Sequence, residues 1–309
     1  MFSGSLVAIA TPMKADGSLD FEAWTRLIDF HLRNGTGGLV VGGTTGESAT
    51  LSDAELVQLT ERACAQVARR MPVIAGAGVS STAATIENVR RLSQLPVDGL
   101  LLVTPAYNRP SQEGLYRHFA AAAEASRVPV VLYNVPSRTA VDMLPRTVAR
   151  LAQLERVVAV KEAVAQIERI RELRRLCPEG FAVLSGDDAT AREAVLAGAV
   201  GVVSVTANVA PRAMADMIAA AARGDRERAE RLDARLAGLH RDLFLESNPI
   251  PLKWALERMG LIDGGIRLPL TELATQHRAV LEAALREAHA LDAAPETALN
   301  TPAQRRWTA

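Results

Sequence analysis

Eight short apolar runs, separated by segments of helical character, constrain the fold of this chain more than any other feature. The runs cover residues 6–10, 38–41, 72–75, 99–103, 130–133, 157–160, 181–184 and 200–203. Runs of this length, bounded by polar residues and often rich in β-branched ones, are typical of strands buried in a parallel sheet. Eight strand–helix units are the number that closes a TIM barrel, (β/α)8. We therefore predict an α/β fold with a (β/α)8 barrel over residues 1–223.

The segments between the runs carry signals for the start of helices. Asp20 stands before an amphipathic stretch, and Ser52 with Glu55 forms the pattern of a capping box. An open, doubly wound sheet is the main alternative, and such sheets usually carry a phosphate-binding fingerprint after their first strand. Thr11-Pro12-Met13 follows the first run instead, which favours the barrel.

The chain beyond residue 223 has no further strand-like runs. Helices are predicted over residues 225–239, 251–259 and 269–285. Residues 224–289 are therefore predicted to be an appended C-terminal helical region that packs on the barrel and supports an oligomer. Residues 290–309 lose the helical periodicity and contain two prolines, which predicts a mobile tail.

Composition excludes several classes of partner and site. Lys+Arg and Asp+Glu both total 35, so the net charge of +0 offers no electrostatic footprint for nucleic acid or an anionic membrane. The two cysteines, Cys64 and Cys177, and the five histidines show no spacing typical of a metal site. The N-terminus lacks the pattern of a signal peptide, and no apolar stretch is long enough to span a bilayer. These observations predict a cytoplasmic protein without a bound metal.

Catalytic residues of TIM barrels lie at the C-terminal ends of the strands, and Lys161 directly follows the sixth run. A lysine at such a position is either a charge at the barrel mouth, paired with a carboxylate or water, or a dry amine. A dry amine can lose its proton and attack a carbonyl. The residues alone leave both interpretations open.

The other strand ends supply groups that would suit such an amine. The glycine-rich turn around Thr44 and Thr45 can bind a small carboxylate through backbone N–H groups, although it could also be a simple tight turn. Tyr107 and Tyr133 can move protons, or they can serve only packing. Arg138 can clamp a carboxylate or form a surface ion pair. The pair Asp187-Asp188 is predicted to cap a helix.

Three motifs together resemble the dihydrodipicolinate synthase family, which belongs to the pyruvate-dependent class I aldolases together with N-acetylneuraminate lyase. The motifs are Gly43-Thr44-Thr45-Gly46-Glu47, Tyr133-Asn134-Val135-Pro136-Ser137-Arg138-Thr139 and Val160-Lys161-Glu162-Ala163. The similarity runs from Met1 to about Leu285 and includes Asn248-Pro249-Ile250-Pro251.

The resemblance implies a role for each residue of the site. Lys161 would form an imine with pyruvate, whose carboxylate Thr44 and Thr45 would hold, and no separate cofactor would be needed. Tyr133, Thr44 and Tyr107 would form a proton relay. Two further residues, Gly186 and Val203, would offer backbone carbonyls near the site.

The resemblance also implies the substrates and the assembly. Arg138 would bind the carboxylate of L-aspartate 4-semialdehyde, giving 4-hydroxy-tetrahydrodipicolinate in the diaminopimelate route to lysine. A homotetramer would supply Tyr107 from a neighbouring subunit. The alternatives are an aldolase or dehydratase for a 2-keto-3-deoxy sugar acid or an N-acetylneuraminate-type substrate, which would not need Arg138, and a non-catalytic paralogue.

The sequence departs from the resemblance at the subunit interface where many family members bind lysine as an inhibitor. Lysine-sensitive members share a histidine, an asparagine, a glutamate and a tyrosine there. The corresponding positions are Leu56, Ser80, Ala84 and Ala106. Because a buried ammonium and carboxylate need polar partners, we expect weak or absent feedback inhibition by lysine.

Overall fold

Eight parallel strands pair in chain order, and the last pairs with the first, so that the sheet closes into a barrel. A computed structural model describes residues 2–293 of the chain. The strands are β1 Gly4–Ala8, β2 Gly38–Val41, β3 Val73–Gly76, β4 Gly99–Val103, β5 Val130–Asn134, β6 Val157–Glu162, β7 Ala182–Ser185 and β8 Gly201–Ser204. The predicted TIM barrel is confirmed.

The strand bounds agree with the apolar runs to within one or two residues. The largest extension that bears on function is in β6, where the predicted run stops at residue 160 but the strand continues through Lys161 and Glu162. Lys161 stays in the sheet because it pairs with Tyr133 of β5 and with Leu184 of β7. The residue is therefore part of the barrel wall and not the start of a loop.

The apolar side chains form two separate clusters. One lies inside the barrel, and the other lies between the strands and the surrounding helices. This inner cluster includes Phe2, Leu6, Val40, Ile74, Leu101, Val131, Tyr133, Ala159, Leu184 and Val203. Phe2 lies beside the start of β4, where a Cβ on Gly99 would come within 2.7 Å of its ring. The interior is thus packed at its N-terminal end, which leaves the opposite end for a site.

Helices surround the barrel and bury one face each. They are α1 Phe21–Arg33, α2 Asp53–Val67, α3 Thr82–Leu92, α4 Gln112–Glu124, α5 Pro136–Thr139, α6 Pro145–Leu151, α7 Ile167–Leu176, α8 Ala191–Leu196 and α9 Pro211–Ala222. Both predicted caps are present. Asp20 accepts from the backbone N–H groups of Glu22 and Ala23, and Ser52 with Glu55 makes the two bonds of a capping box.

Three helices follow the barrel: α10 Arg226–Asp242, α11 Ile250–Arg258 and α12 Thr275–Glu287. The first two agree with their predicted ranges to within three residues, but the third begins six residues later than the predicted start at 269. Pro269 lies inside a turn in which Leu270 N–H donates to the Arg267 carbonyl, and Leu273 is buried without being helical. Its burial explains why the apolar pattern of this segment resembled a helix.

Two predictions about the C-terminal part of the chain stay predictions. The division between barrel and helical region at residues 223 and 224 lies in the short link between α9 and α10. Residues 291–293 form one 3-10 turn, and the rest of the predicted mobile tail lies outside the described residues. Among residues 2–293, no helix combines the length and apolar character needed to cross a bilayer.

Candidate active site

Lys161 and Tyr133 form the centre of the candidate site. They are register partners on β6 and β5, and both point into the barrel. Lys161 Nζ lies 4.1 Å from the centroid of the Tyr133 ring, and the two residues are only 6% and 5% exposed. Within residues 2–293, no carboxylate lies within salt-bridge distance of Lys161. Lys161 is therefore neither exposed nor paired with a carboxylate of the described residues.

Gly186 provides the space that the Lys161 side chain occupies. It follows β7, directly beside the end of β6, and its N–H donates to the Glu162 carbonyl at 2.7 Å. A Cβ at this position would lie 3.0 Å from Lys161 Cε and 3.1 Å from its Cγ. The same Cβ would lie 2.9 Å from Ala163 Cβ, so a larger residue here requires Ala163 or the lysine side chain to shift.

Two backbone hydrogen bonds lie within the glycine–threonine turn after β2, and two of its N–H groups have no partner among the described residues. Gly46 N–H donates to the Gly43 carbonyl and Glu47 N–H to the Thr44 carbonyl, each at 3.1 Å. The N–H groups of Thr44 and Thr45 have no acceptor in the described part of the chain. Two neighbouring free N–H groups are what a small carboxylate would need.

Residues of the C-terminal helical region complete the wall behind this turn. Asn248 donates through Nδ2 to Thr45 Oγ1 at 2.9 Å, and Lys253 of α11 forms a buried ion pair with Glu47. Burial lowers the pKa of Lys253, although the Glu47 carboxylate opposes this shift. The sequence interpretation missed both contacts. The only signal was the motif Asn248-Pro249-Ile250-Pro251, to which no role had been given.

The remaining predicted site residues lie at different depths. Arg138 of α5 is exposed at the rim, with Nη2 3.5 Å from the Asn248 carbonyl. Val203 of β8 is 2% exposed and packs in the same inner cluster as Tyr133. Tyr107, in the loop after β4, is 95% exposed and contributes no hydrogen bond among residues 2–293. A single copy of the chain therefore leaves Tyr107 apart from the buried centre.

The predicted capping role of Asp187-Asp188 is wrong, because α8 begins after Thr190 without a side-chain hydrogen bond that caps it. Asp187 accepts from the N–H and hydroxyl of Thr190 at the start of α8. Asp188 instead accepts from the N–H groups of Val205 and Thr206, both at 2.9 Å. It therefore ties the loop after β7 to the end of β8, a contact between neighbouring strand ends that local sequence cannot reveal.

Comparison with known proteins agrees with this geometry. Residues 1–288 match the sequence model of the dihydrodipicolinate synthetase family. The chain is 55% identical over 291 residues to a 4-hydroxy-tetrahydrodipicolinate synthase from Methylococcus capsulatus, covering 94% of this chain and 100% of the relative. It is 52% identical to the enzyme of the same name from Laribacter hongkongensis, covering 94% and 99%.

A solved structure has the same fold over nearly the whole chain. It is the chloride-inhibited dihydrodipicolinate synthase from Acinetobacter baumannii in complex with pyruvate. The TM-score is 0.92 at 47% identity, covering 94% of this chain and 99% of that one. Fold, strand-end residues and sequence similarity over the same span agree, and the chain belongs to the dihydrodipicolinate synthetase family.

Proposed function

We propose that this chain condenses pyruvate with L-aspartate 4-semialdehyde and that Lys161 carries pyruvate as an imine. The observation that carries the proposal is the buried Lys161–Tyr133 pair, with Nζ 4.1 Å from the ring centroid and no carboxylate partner among the described residues. Membership of the family supports the reaction itself. Enzymes of this family need no external cofactor, because the lysine amine is the reactive group.

The amine would attack the ketone carbon of pyruvate, and loss of water would give the imine. Removal of a methyl proton would convert the imine to an enamine. The enamine carbon would then attack the aldehyde carbon of the second substrate. Finally, the amino group of that substrate would attack the imine carbon, which closes the ring of 4-hydroxy-tetrahydrodipicolinate and releases Lys161.

The pyruvate carboxylate would sit at the turn after β2. The free N–H groups of Thr44 and Thr45 support this placement, and Asn248 donates a hydrogen bond to the Thr45 hydroxyl. The backbone carbonyls of Gly186 and Val203 would lie at the neighbouring strand ends. This arrangement would hold the ketone carbon against Lys161 Nζ.

Proton transfers would pass through Tyr133, Thr44 and Tyr107. A phenol both donates and accepts, so Tyr133 beside Lys161 can carry protons to and from the forming imine. Tyr107 is 95% exposed in one copy of the chain, and we propose that it completes the relay in the site of a neighbouring copy within a homotetramer. Arg138 at the rim would receive the carboxylate of the aldehyde substrate.

The reaction would be the first committed step of the diaminopimelate route to lysine, and we propose that the enzyme works in the cytoplasm.

Trapping of the imine tests this proposal directly. The chain has three lysines, Lys14, Lys161 and Lys253. Borohydride with pyruvate should add a reduced pyruvyl group to the Lys161 peptide alone. Lys161→Ala should abolish the adduct while the fold is kept, and Lys14→Ala should leave it unchanged. An adduct on another lysine, or none at all, would refute the assignment.

A further inference from the structure

Behind the Lys161–Tyr133 pair lies a cluster of polar side chains that no step above uses. We call Asn134, Asp142, Glu162 and Arg169 the outer cluster. Asn134 and Glu162 directly follow Tyr133 and Lys161 on β5 and β6, and they are register partners in the same way. Because side chains alternate along a strand, the reactive pair faces the barrel interior and its neighbours face outward.

The Glu162 carboxylate is surrounded by donors. Its side chain is fully buried, and it accepts from Asn134 Nδ2 at 3.0 Å, Val164 N–H at 2.9 Å and Arg169 Nε at 2.9 Å. All of its partners among the described residues donate hydrogen bonds. An ionised carboxylate, which only accepts, satisfies all three donors. Burial raises the pKa of the Glu162 carboxyl, and the Arg169 guanidinium opposes this.

Asp142 forms the second half of the cluster. It lies in the loop between α5 and α6, and it accepts from Arg169 Nη1 at 3.0 Å and from Asn134 Nδ2 at 2.8 Å. Arg169 also donates to the Met143 carbonyl at 2.7 Å. The segment that carries Arg138 is thus anchored four residues later to α7 and to the strand ends behind the reactive lysine.

We propose that the outer cluster positions two parts of the site separately. This inference rests on the proposed function. Glu162 holds the end of β6 and so the Lys161 amine, whereas Asp142 holds the loop that presents Arg138. Arg169 bonds to both carboxylates and joins the two halves. These are positioning residues, since none of them touches the reacting atoms.

The two halves predict different kinetic defects. Glu162→Gln turns an amide NH2 group toward one of the three donors, which should displace the end of β6. Imine formation at saturating pyruvate should then be about ten- to a hundred-fold slower, because misplaced reacting groups lower the rate by this factor. The KM for pyruvate should change little because the threonine turn is untouched. Asp142→Asn should raise the KM for the aldehyde and leave imine formation near the wild-type rate.

Arg169→Lys serves as a second variant because it keeps the charge but loses the fork that reaches both carboxylates. It should move both kinetic parameters. Glu168→Gln and Arg171→Ala are the matched controls on the same helix, since these residues form an exposed pair with each other. They should move neither parameter.

The measurements are the rate of borohydride-trapped imine and the two KM values, each normalised to the folded fraction from circular dichroism. If the variants lose thermal stability but keep wild-type kinetics per folded molecule, the positioning role is refuted. Equal defects in both parameters for Glu162→Gln and Asp142→Asn would also refute it. Failure of the wild type to trap pyruvate would instead refute the proposed function.

Discussion

At the scale of single residues, we propose that Arg138 selects the aldehyde substrate. It is exposed at the rim, and apart from the 3.5 Å approach to the Asn248 carbonyl its guanidinium has no partner among residues 2–293. A free guanidinium at this position is available to a substrate carboxylate. A sugar aldehyde lacks that carboxylate, so the arginine favours the amino-acid aldehyde over the sugar-acid alternative.

Arg138→Ala should therefore raise the KM for aspartate semialdehyde by roughly ten- to a hundred-fold, the loss expected for a hydrogen bond between charged groups. Pyruvate trapping on Lys161 should stay at the wild-type rate. Arg146→Ala, an exposed arginine of α6, is the control. Steady-state kinetics with both substrates check this, and an unchanged aldehyde KM would contradict the assigned role.

Gly186→Ala tests the packing of the lysine itself. The new methyl group would lie 2.9 Å from Ala163 Cβ and 3.0 Å from Lys161 Cε, so these neighbours must shift. We expect imine trapping to fall by about ten-fold or more while secondary structure is kept. Gly114→Ala in α4, where the closest new contact is 3.3 Å, should have wild-type trapping. Equal trapping in the two variants would show that Gly186 has no steric role.

At the scale of elements, α11 supports the turn after β2 through the Lys253–Glu47 ion pair. The two side chains are 4% and 0% exposed, so loss of one partner leaves the other charge buried without compensation. Lys253→Met should destabilise the protein by about 3–5 kcal/mol and weaken pyruvate binding. Chemical unfolding measures this, and adding Glu47→Gln should restore part of the stability. If the double variant were no more stable than Lys253→Met, the effect would not come from the unpaired charge.

The elements themselves were largely predictable from sequence, whereas the contacts between them were not. Periodicity and apolar runs gave the eight strands, and local patterns gave the caps at Asp20 and Ser52, since these depend on neighbouring residues. The same local reasoning extended a helix too far toward Pro269. The partners of Asn248 and Asp188 are far away in sequence or depend on the closure of the barrel, so no local pattern indicates them.

At the scale of the whole molecule, buried histidines should make stability depend on pH. His31 in α1 is fully buried, with Nδ1 2.9 Å from Thr36 Oγ1 and no partner for Nε2 in the described chain. Burial lowers the pKa of His31 from 6.5 to about 3. Between these values the unfolded chain binds one proton more than the folded one, so stability falls as the pH falls.

The free energy of unfolding should therefore decrease by about 1.4 kcal/mol per pH unit for this residue as the pH drops below 6.5. Urea unfolding at pH 7 and pH 5.5, at one protein concentration, measures the slope. His31→Gln should reduce the slope, whereas His289→Gln, at an exposed position, should not. A slope that is the same in both variants would mean that His31 is not its source.

We propose that a neighbouring subunit completes each site, and mixed oligomers test this. Lys161→Ala and Tyr107→Ala should each be nearly inactive alone.

A hybrid pair contains one chain of each variant. If Tyr107 acts in the site of a neighbouring subunit, such a pair has one site with both the intact Lys161 of one chain and the intact Tyr107 of the other. Unfolding and refolding the two variants together in equal amounts should then restore roughly a quarter of wild-type activity, because half of the pairs are hybrid and each has one complete site. If Tyr107 acts within its own subunit, every hybrid site lacks one group. The mixture would then be no more active than the separate variants.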